Sequence, residues 1–452
     1  MALPKTKSKH FHLPGAATKS TKKFKQVFSH QDKPFLDLVE DVQKAIRMGI
    51  DPVLISQGTS GSYFARNTKE EIVGVFKPRD EEPFADNNPK FTKFVQRMCC
   101  PCCFGRSCLL PNHGYLSEAG ASLVDEKLGL QVVPKTRVVE LTSKVFSYSD
   151  ADRKRPRLPP KVGSFQLYMD GYKDAGTWLQ AWSNHNPALD PLLTHTFLVL
   201  AQKMVALDYV IRNTDRSHAN WMIKYVPPET TEETSKQGEA SEELCQCDET
   251  GGGDARGGGR GSSVQVAVID NGLAFPHRHP DSWRMYPFYW KHLDFAKEPF
   301  TDEVAMLLLP KLNDPVFTET MVHSLHEQFK MDPSFDKHLF ERQMGVLRGQ
   351  IWNLRTVLIQ QMSPVELEKM PRCVLIPQRH WKRKMEKQCK AESTASHSPS
   401  TPSTTTTSAS PTTAQTGSFA EGWKSLSSTT EDQWSGRYKK KEVAAEPKFS
   451  RF

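Results

Sequence analysis

Apolar positions in this chain concentrate between about Pro34 and about Trp381, a stretch rich in Leu, Val, Phe, Trp and Tyr that can bury a large core. Within it the pattern predicts particular elements. Val53-Leu54-Ile55-Ser56 reads as a strand, Gln57-Gly58-Thr59-Ser60-Gly61-Ser62 as a turn of small residues, and Tyr63-Phe64-Ala65 as renewed extended chain. A polar turn at Asn67-Thr68-Lys69-Glu70 leads into Glu71-Ile72-Val73-Gly74-Val75-Phe76-Lys77, a further strand. Phe91, Phe94, Val95 and Met98 recur at i, i+3, i+4 and i+7 with Lys90, Lys93 and Arg97 off that stripe, which predicts a short basic amphipathic helix. An apolar, helix-like run from Leu198 to Ile211 is followed by two strands, Met222 to Tyr225 and Val264 to Ile269.

Three stretches break the pattern. The first 33 residues carry eight Lys, almost no acid and no apolar run, which excludes a cleaved signal peptide because that needs a hydrophobic centre. The last sixty or so are dominated by Ser, Thr, Pro, Lys and Glu and cannot bury enough apolar surface to fold. Residues 227–263, with Gly-Gly-Gly-Asp and Gly-Gly-Gly-Arg-Gly, read as a disordered loop. The 452 residues could hold two or three average domains. The uneven composition instead predicts one body with disordered tails at 1–34 and 386–452.

The formal net charge of +8 is modest and lies mostly in the basic N-terminus. Basic tails attract nucleic acid and anionic lipid alike, so charge alone does not choose between them. No apolar stretch reaches the roughly 20 residues of a spanning helix, so any membrane attachment is expected to be peripheral or covalent.

Five of the nine cysteines fall within Cys99-Cys100-Pro101-Cys102-Cys103-Phe104-Gly105-Arg106-Ser107-Cys108. Adjacent cysteines make a poor disulfide framework, and nothing places the chain in an oxidising compartment. Zinc and inert thiols remain open, although His113 is alone and Cys245 and Cys247 lie in the flexible insert. The basic helix just before the block favours S-palmitoylation, since two or more acyl chains give stable anchoring where one gives only marginal binding. An ordinary surface helix packed on its own core is the plain alternative.

A Gly/Ser turn lets backbone N–H groups approach phosphate oxygens without Cβ clashes, and Lys77 ends the strand that follows. Downstream, Arg212-Asn213-Thr214-Asp215-Arg216-Ser217-His218-Ala219-Asn220 contains Asp-x4-Asn, and the later strand runs into Asp270-Asn271-Gly272. Each element is common, but the order Gly-rich loop, Lys, Asp-x4-Asn, Asp-x-Gly is that of an ATP-dependent phosphotransferase. Asp215 is the candidate base or orienting carboxylate, and Asn220 and Asp270 are candidate ligands for a shared Mg²⁺. Beyond them, Pro276 to His292 mixes Trp283, Tyr286, Phe288, Tyr289 and Trp290 with Arg and Lys. That mixture suits a membrane–water interface; buried aromatic core is the alternative.

These residues closely resemble the type II phosphatidylinositol 4-kinases. The resemblance rests on Gln57 to Phe64, Val75-Phe76-Lys77-Pro78-Arg79-Asp80-Glu81-Glu82-Pro83, the Cys-Cys-Pro-Cys-Cys-Phe-Gly-Arg block and Gly114 to Ala121. It continues through Leu158 to Leu167, Arg212 to Arg216 and Ile269 to Pro276. It implies an α+β, two-lobed, protein-kinase-like (PI3/PI4-kinase) fold: a β-rich N-lobe over 35–165, with the cysteine segment at 90–108, and a mainly helical C-lobe over 166–385. It further implies ATP with Mg²⁺ or Mn²⁺, a phosphate loop at Ser56, Gln57, Gly58, Thr59, Ser60, Gly61 and Ser62, and Lys77 on the phosphates. Gln166, Leu167, Tyr168 and Met169 would form the adenine hinge. Asp215, Asn220 and Asp270 would carry catalysis, and Glu81, Glu82 and Pro83 would place the lipid headgroup.

The same resemblance implies palmitoylation at Cys99, Cys100, Cys102 and Cys103, and membrane contact through Phe91, Phe94, Trp283, Tyr289 and Trp290. Phosphatidylinositol in an anionic lipid surface is then the expected partner, with no nucleic acid, and Golgi, endosomal and plasma membranes the expected location. The family's Gly-Asn-Asp-Asn after Asp-Arg is here Ser217-His218-Ala219-Asn220, which keeps the Asn and loses a neighbouring carboxylate. That change motivates a catalytically weak scaffold as one alternative; a protein kinase is another.

Overall fold

The computed structural model of the chain describes residues 32–83, 85–89, 106–185, 191–226, 262–280, 286–395 and 434–443. Helix α1 (Lys33–Arg47) carries Pro34 in its first turn, where a missing N–H costs nothing, and Lys44 and Arg47 in its last, where cations meet the helix dipole. It buries Phe35, Val42 and Ala45, with Phe35 edge-on to Phe165 at 5.7 Å. Helix α1 thus begins inside the predicted tail, and Asp32 just before it is buried and paired with Lys135 at 2.8 Å and Arg137 at 2.9 Å.

The first lobe is a five-stranded antiparallel sheet of β1 (Val53–Leu54), β2 (Tyr63–Arg66), β3 (Ile72–Pro78), β4 (Thr136–Leu141) and β5 (Lys161–Leu167), in the order β1-β2-β3-β5-β4. Alternation puts Tyr63, Ala65 and Phe76 inward. Tyr63 and Phe76 meet the Phe146 ring at 4.9 and 5.4 Å, closing a small aromatic core under the sheet. Helix α2 (Gly114–Leu128) is buried on nearly every side, including Leu116, Ala119, Val124 and Leu128, because it lies between this sheet and the second lobe. Gly129, at φ +74°, ends it in the left-handed conformation that glycine adopts without a Cβ penalty.

The second lobe is mainly helical. Helices α3 (Ala175–His185) and α4 (Pro191–Val210) connect the first and second strands of a sheet of β6 (Lys173–Asp174), β7 (Trp221–Val226) and β8 (Ser263–Val268), ordered β6-β7-β8. Helices α5 (Asp302–Leu312), α6 (Pro315–Phe329) and α7 (Lys337–Ile359) build the large apolar core around Met321, Met344, Ile351 and Leu354. Inside it, the Arg348 guanidinium forks onto Glu319 at 2.7 and 2.9 Å, so the buried charge is paired. No helix among the described residues is long and apolar enough to cross a membrane.

The C-terminal expectation needs correction. Helix α8 (Arg379–Ala395) runs ten residues into the predicted tail, and Trp434 to Val443 return to the C-lobe. There β10 (Tyr438–Glu442) pairs antiparallel with β9 (Cys373–Pro377). Trp434 is 1% exposed, stacked on Tyr438 at 5.0 Å and edge-on to Trp352 at 5.8 Å; the Tyr438 hydroxyl donates to Glu319 at 2.7 Å. Two aromatic side chains thus hold a segment whose overall composition is polar.

Candidate active site

Three charged groups meet between the lobes. The Lys77 ammonium, at the end of β3, lies 2.5 Å from Glu118 Oε1 on α2 and 2.8 Å from Asp270 Oδ1 after β8. Burial alone lowers the Lys77 pKa, but Asp270 and Glu118 outweigh it and the net shift is upward. In return Lys77, against the opposing effect of burial, holds the Asp270 carboxyl below its ordinary range. Asp270 itself sits at φ +55°, a conformation that surrounding structure must enforce on a non-glycine residue.

The β7–β8 hairpin sets the other half. Trp221 pairs with Val268, so Asn220 and Asp270 flank the same end of one ladder, and Ile269 N–H donates to the Asn220 carbonyl at 3.2 Å. The Asn220 amide nitrogen donates to the Asp215 carbonyl at 2.6 Å, so its side-chain oxygen is the atom that could meet a metal ion. One buried guanidinium organises this loop. Arg216 Nε reaches both Asp208 oxygens at 3.0 Å, Nη1 donates to the Ile269 carbonyl at 2.6 Å, and further bonds run to the Asn220 carbonyl and the Asn271 side chain. Asp215 N–H donates to Asn213 Oδ1 at 2.9 Å, and its carboxylate pairs with Arg106 Nη2 at 3.0 Å. Arg106 also bonds the Thr214 carbonyl and stacks on Tyr286 at 4.5 Å.

The small-residue loop bridges β1 and β2, with Ser56, Gln57, Gly58 and Thr59 exposed and Gly58 at φ +80°. Gly61 N–H donates to the Glu81 carbonyl at 2.8 Å, and a Cβ on Gly61 would run into the Glu81 side chain. Only glycine lets the loop lie this close to the segment behind it.

Residues 58–354 match the phosphatidylinositol 3- and 4-kinase family. The chain is 47% identical to the phosphatidylinositol 4-kinase type 2-beta of Xenopus tropicalis over 367 residues, 76% of this chain and 71% of that one. It is 45% identical to the type 2-beta protein of Mus musculus over 76% of this chain and 74% of that one. With the type 2-alpha protein of Danio rerio it shares 44% over 77% and 79% of the two chains. The chain belongs to the type 2 phosphatidylinositol 4-kinases.

In this kinase the structure brings together Lys77, Asp215, Asn220 and Asp270, four residues singled out by sequence order. It adds Glu118 and Arg216, which sequence reasoning missed; a Glu on the helix after the Lys77 strand was the available signal for the first. Other expectations change. Glu81 is fully buried, accepting from the Tyr63 hydroxyl at 2.6 Å and Ser147 N–H at 2.9 Å and pairing with Lys161 at 2.9 Å, so it holds the N-lobe together rather than a headgroup. Glu82 accepts from the first N–H groups of α2, Tyr115 at 2.8 Å and Gly114 at 3.1 Å, and burial pushes its carboxyl up to about 7. Gln166 is buried within the sheet and donates to Thr136 Oγ1 at 3.0 Å, so the exposed side of the expected hinge begins at Leu167 and Tyr168.

The aromatic expectation divides. Tyr289 is 50% exposed, but Trp290 is 1% exposed and stacked on Phe288 at 4.8 Å. Trp290 is therefore core, because the short turn at Tyr289–His292 folds it inward against Phe288. Phe91, Phe94, Cys99, Cys100, Cys102, Cys103 and Trp283 lie outside the described residues.

Proposed function

We propose that this kinase transfers the γ-phosphate of ATP to the 4-hydroxyl of phosphatidylinositol, giving phosphatidylinositol 4-phosphate, while seated on a membrane through acylated Cys99, Cys100, Cys102 and Cys103. The observation that carries the reading is the meeting of Lys77, Glu118 and Asp270 beside Asn220 and Asp215, in a chain whose relatives are named as phosphatidylinositol 4-kinases. Their names alone supply the ring position.

Glu118 holds the Lys77 ammonium at the cleft, where it would pair with the ATP phosphates; the loop at Ser56 to Ser62 would cradle those phosphates and Leu167 to Met169 would take the adenine. Asn220 and Asp270 offer one amide oxygen and one carboxylate. That set fits Mg²⁺, which takes one or two protein carboxylates and completes its shell with water and phosphate oxygens, and Mn²⁺ accepts the same donors. When bound, the ion neutralises charge on the transferring phosphoryl group. Asp215 orients the inositol hydroxyl or takes its proton, and Arg106 fixes the carboxylate in place. Most of the catalytic effect is then positioning and electrostatics. Tyr289, exposed beside Lys291 and His292, supports a lipid-facing surface there. Phe91, Phe94 and Trp283 are the further membrane contacts proposed from the sequence. The cytoplasmic faces of Golgi, endosomal and plasma membranes are the proposed location.

One experiment separates the readings. Purified protein with γ-labelled ATP is offered phosphatidylinositol vesicles and a peptide mixture together. Label in the lipid is expected; label confined to peptide assigns a protein kinase, and no transfer assigns a scaffold.

A further inference from the structure

Away from the ATP cleft, the C-lobe holds a cavity of about 680 Å³ bounded by the segment after Asp270-Asn271-Gly272, helix α7, strand β9 and the start of α8. That volume is in the range of small-molecule sites. Val374, Ile376 and Pro377 supply an apolar wall, while Arg278, Arg342, Arg372 and Lys382 supply four cations. Among the described residues Glu341 is the one carboxylate of the lining, and it is already engaged by Lys382 at 2.7 Å and Arg348 at 3.8 Å.

Two imidazoles register the unbalanced positive field. Burial lowers the pKa of His277, and Arg342 and Arg278 lower it further; its Nδ1 is buried without a hydrogen-bond partner. His279 is pushed down to about 4, by burial first and then by Arg212 and Arg372, while its Nε2 meets the Cys373 carbonyl at 3.0 Å. An anion bound here would relieve that field, and forked guanidinium donors match phosphate in particular.

The cavity is tied to the root of the cysteine block. Arg278 Nη2 donates to Ser107 Oγ at 2.9 Å, and His277 N–H donates to the Cys108 carbonyl at 2.9 Å. On the membrane-seated reading above, on which this step alone rests, those bonds bring the cavity close to the headgroup layer.

We propose that this cavity is a second anion site, separate from the ATP cleft, that takes a phosphorylated inositol headgroup. The phosphates meet the arginines and the ring lies on the apolar wall. A lipid or a soluble inositol phosphate presents the same chemistry, and two experimental arms distinguish them.

The full chain, with its ATP cleft saturated by a non-hydrolysable ATP analogue, is titrated with soluble inositol 1,4-bisphosphate. In parallel it is floated with phosphatidylcholine vesicles with and without phosphatidylinositol 4-phosphate. Arg342→Glu removes an exposed cation of the cavity, and Lys69→Glu, on the exposed β2–β3 turn, makes the same charge change elsewhere. Arg342→Glu is expected to weaken inositol bisphosphate binding by about tenfold or more, with Lys69→Glu unchanged and both melting as wild type. The same ranking in flotation assigns the lipid as source; the ranking in solution alone assigns a soluble phosphate. No saturable binding in the soluble arm, or equal losses in the two variants, overturns the site whatever the vesicles show.

Discussion

Arg216 is the residue on which the catalytic loop most depends. Arg216→Met keeps the stem and removes the charge. Arg216 and Asp208 both have fully buried side chains, so the variant leaves the Asp208 carboxylate inside the lobe without its cation, with Asn213 Nδ2 still donating to it at 3.3 Å. The Ile269 carbonyl loses its 2.6 Å donor, and the Asn271 side-chain oxygen loses its bond from Arg216. Breaking one partner of a buried pair costs about 3–5 kcal/mol. At roughly 2–4 °C per kcal/mol for a large domain, the melting temperature falls by about 6–20 °C. The cost arises from the stranded carboxylate, so Asp208→Leu combined with Arg216→Met recovers most of it, because an apolar pair replaces a buried ion pair at little net cost. Urea unfolding followed by tryptophan fluorescence measures both variants. A single variant within about 1 kcal/mol of wild type, or a double variant no better than the single, refutes the reasoning.

Trp290→Ala costs about 3–5 kcal/mol and lowers activity equally on vesicles and on detergent-dispersed substrate, since the ring is core; a vesicle-selective loss with unchanged melting contradicts this. Trp434→Ala is destabilising by a similar amount of about 3–5 kcal/mol, and makes the C-terminal segment cleavable by protease, whereas an unchanged melt and digest mean the strand is not docked. Glu82 introduces a pH dependence of definite sign. Its folded pKa of about 7 exceeds the ordinary value of about 4.3, so between those values the folded state keeps a proton that the unfolded state has lost. Its contribution to stability therefore declines as pH rises through that window, and Glu82→Gln flattens the decline. Identical pH profiles for wild type and variant count against that shift.

Much of the cleft was legible because its chemistry depends on short motifs at strand ends. The alternation of Tyr63-Phe64-Ala65 and Ile72 to Lys77 fixed both strands, and the β7–β8 ladder then delivers Asn220 and Asp270 to one place. Glu118 was not legible by periodicity: α2 is buried all round, so a polar residue in it carries no face signal. Arg216 was hidden for a related reason, since only the fold reveals that the arginine beside the candidate catalytic Asp215 points inward. Glu81 shows the converse, an acid that looks available in a motif and is enclosed by Tyr63, Ser147 and Lys161. The docked C-terminal strand escaped because Tyr438 alone of its five residues is buried and Lys439-Lys440-Lys441 dominate the composition. Trp290 was misassigned because rings interleaved with cations have the same composition whether they face lipid or fold inward beside one exposed neighbour.

The central claim is that Asp270, held by Lys77 at the mouth of the cleft, is indispensable to phosphoryl transfer. It is tested most directly by following label from γ-labelled ATP into phosphatidylinositol vesicles with wild type and Asp270→Ala side by side, each checked for its thermal melt. The account predicts labelled lipid from wild type and loss of transfer on the order of a hundredfold or more from a folded Asp270→Ala protein. Near-normal transfer by that folded variant would contradict it.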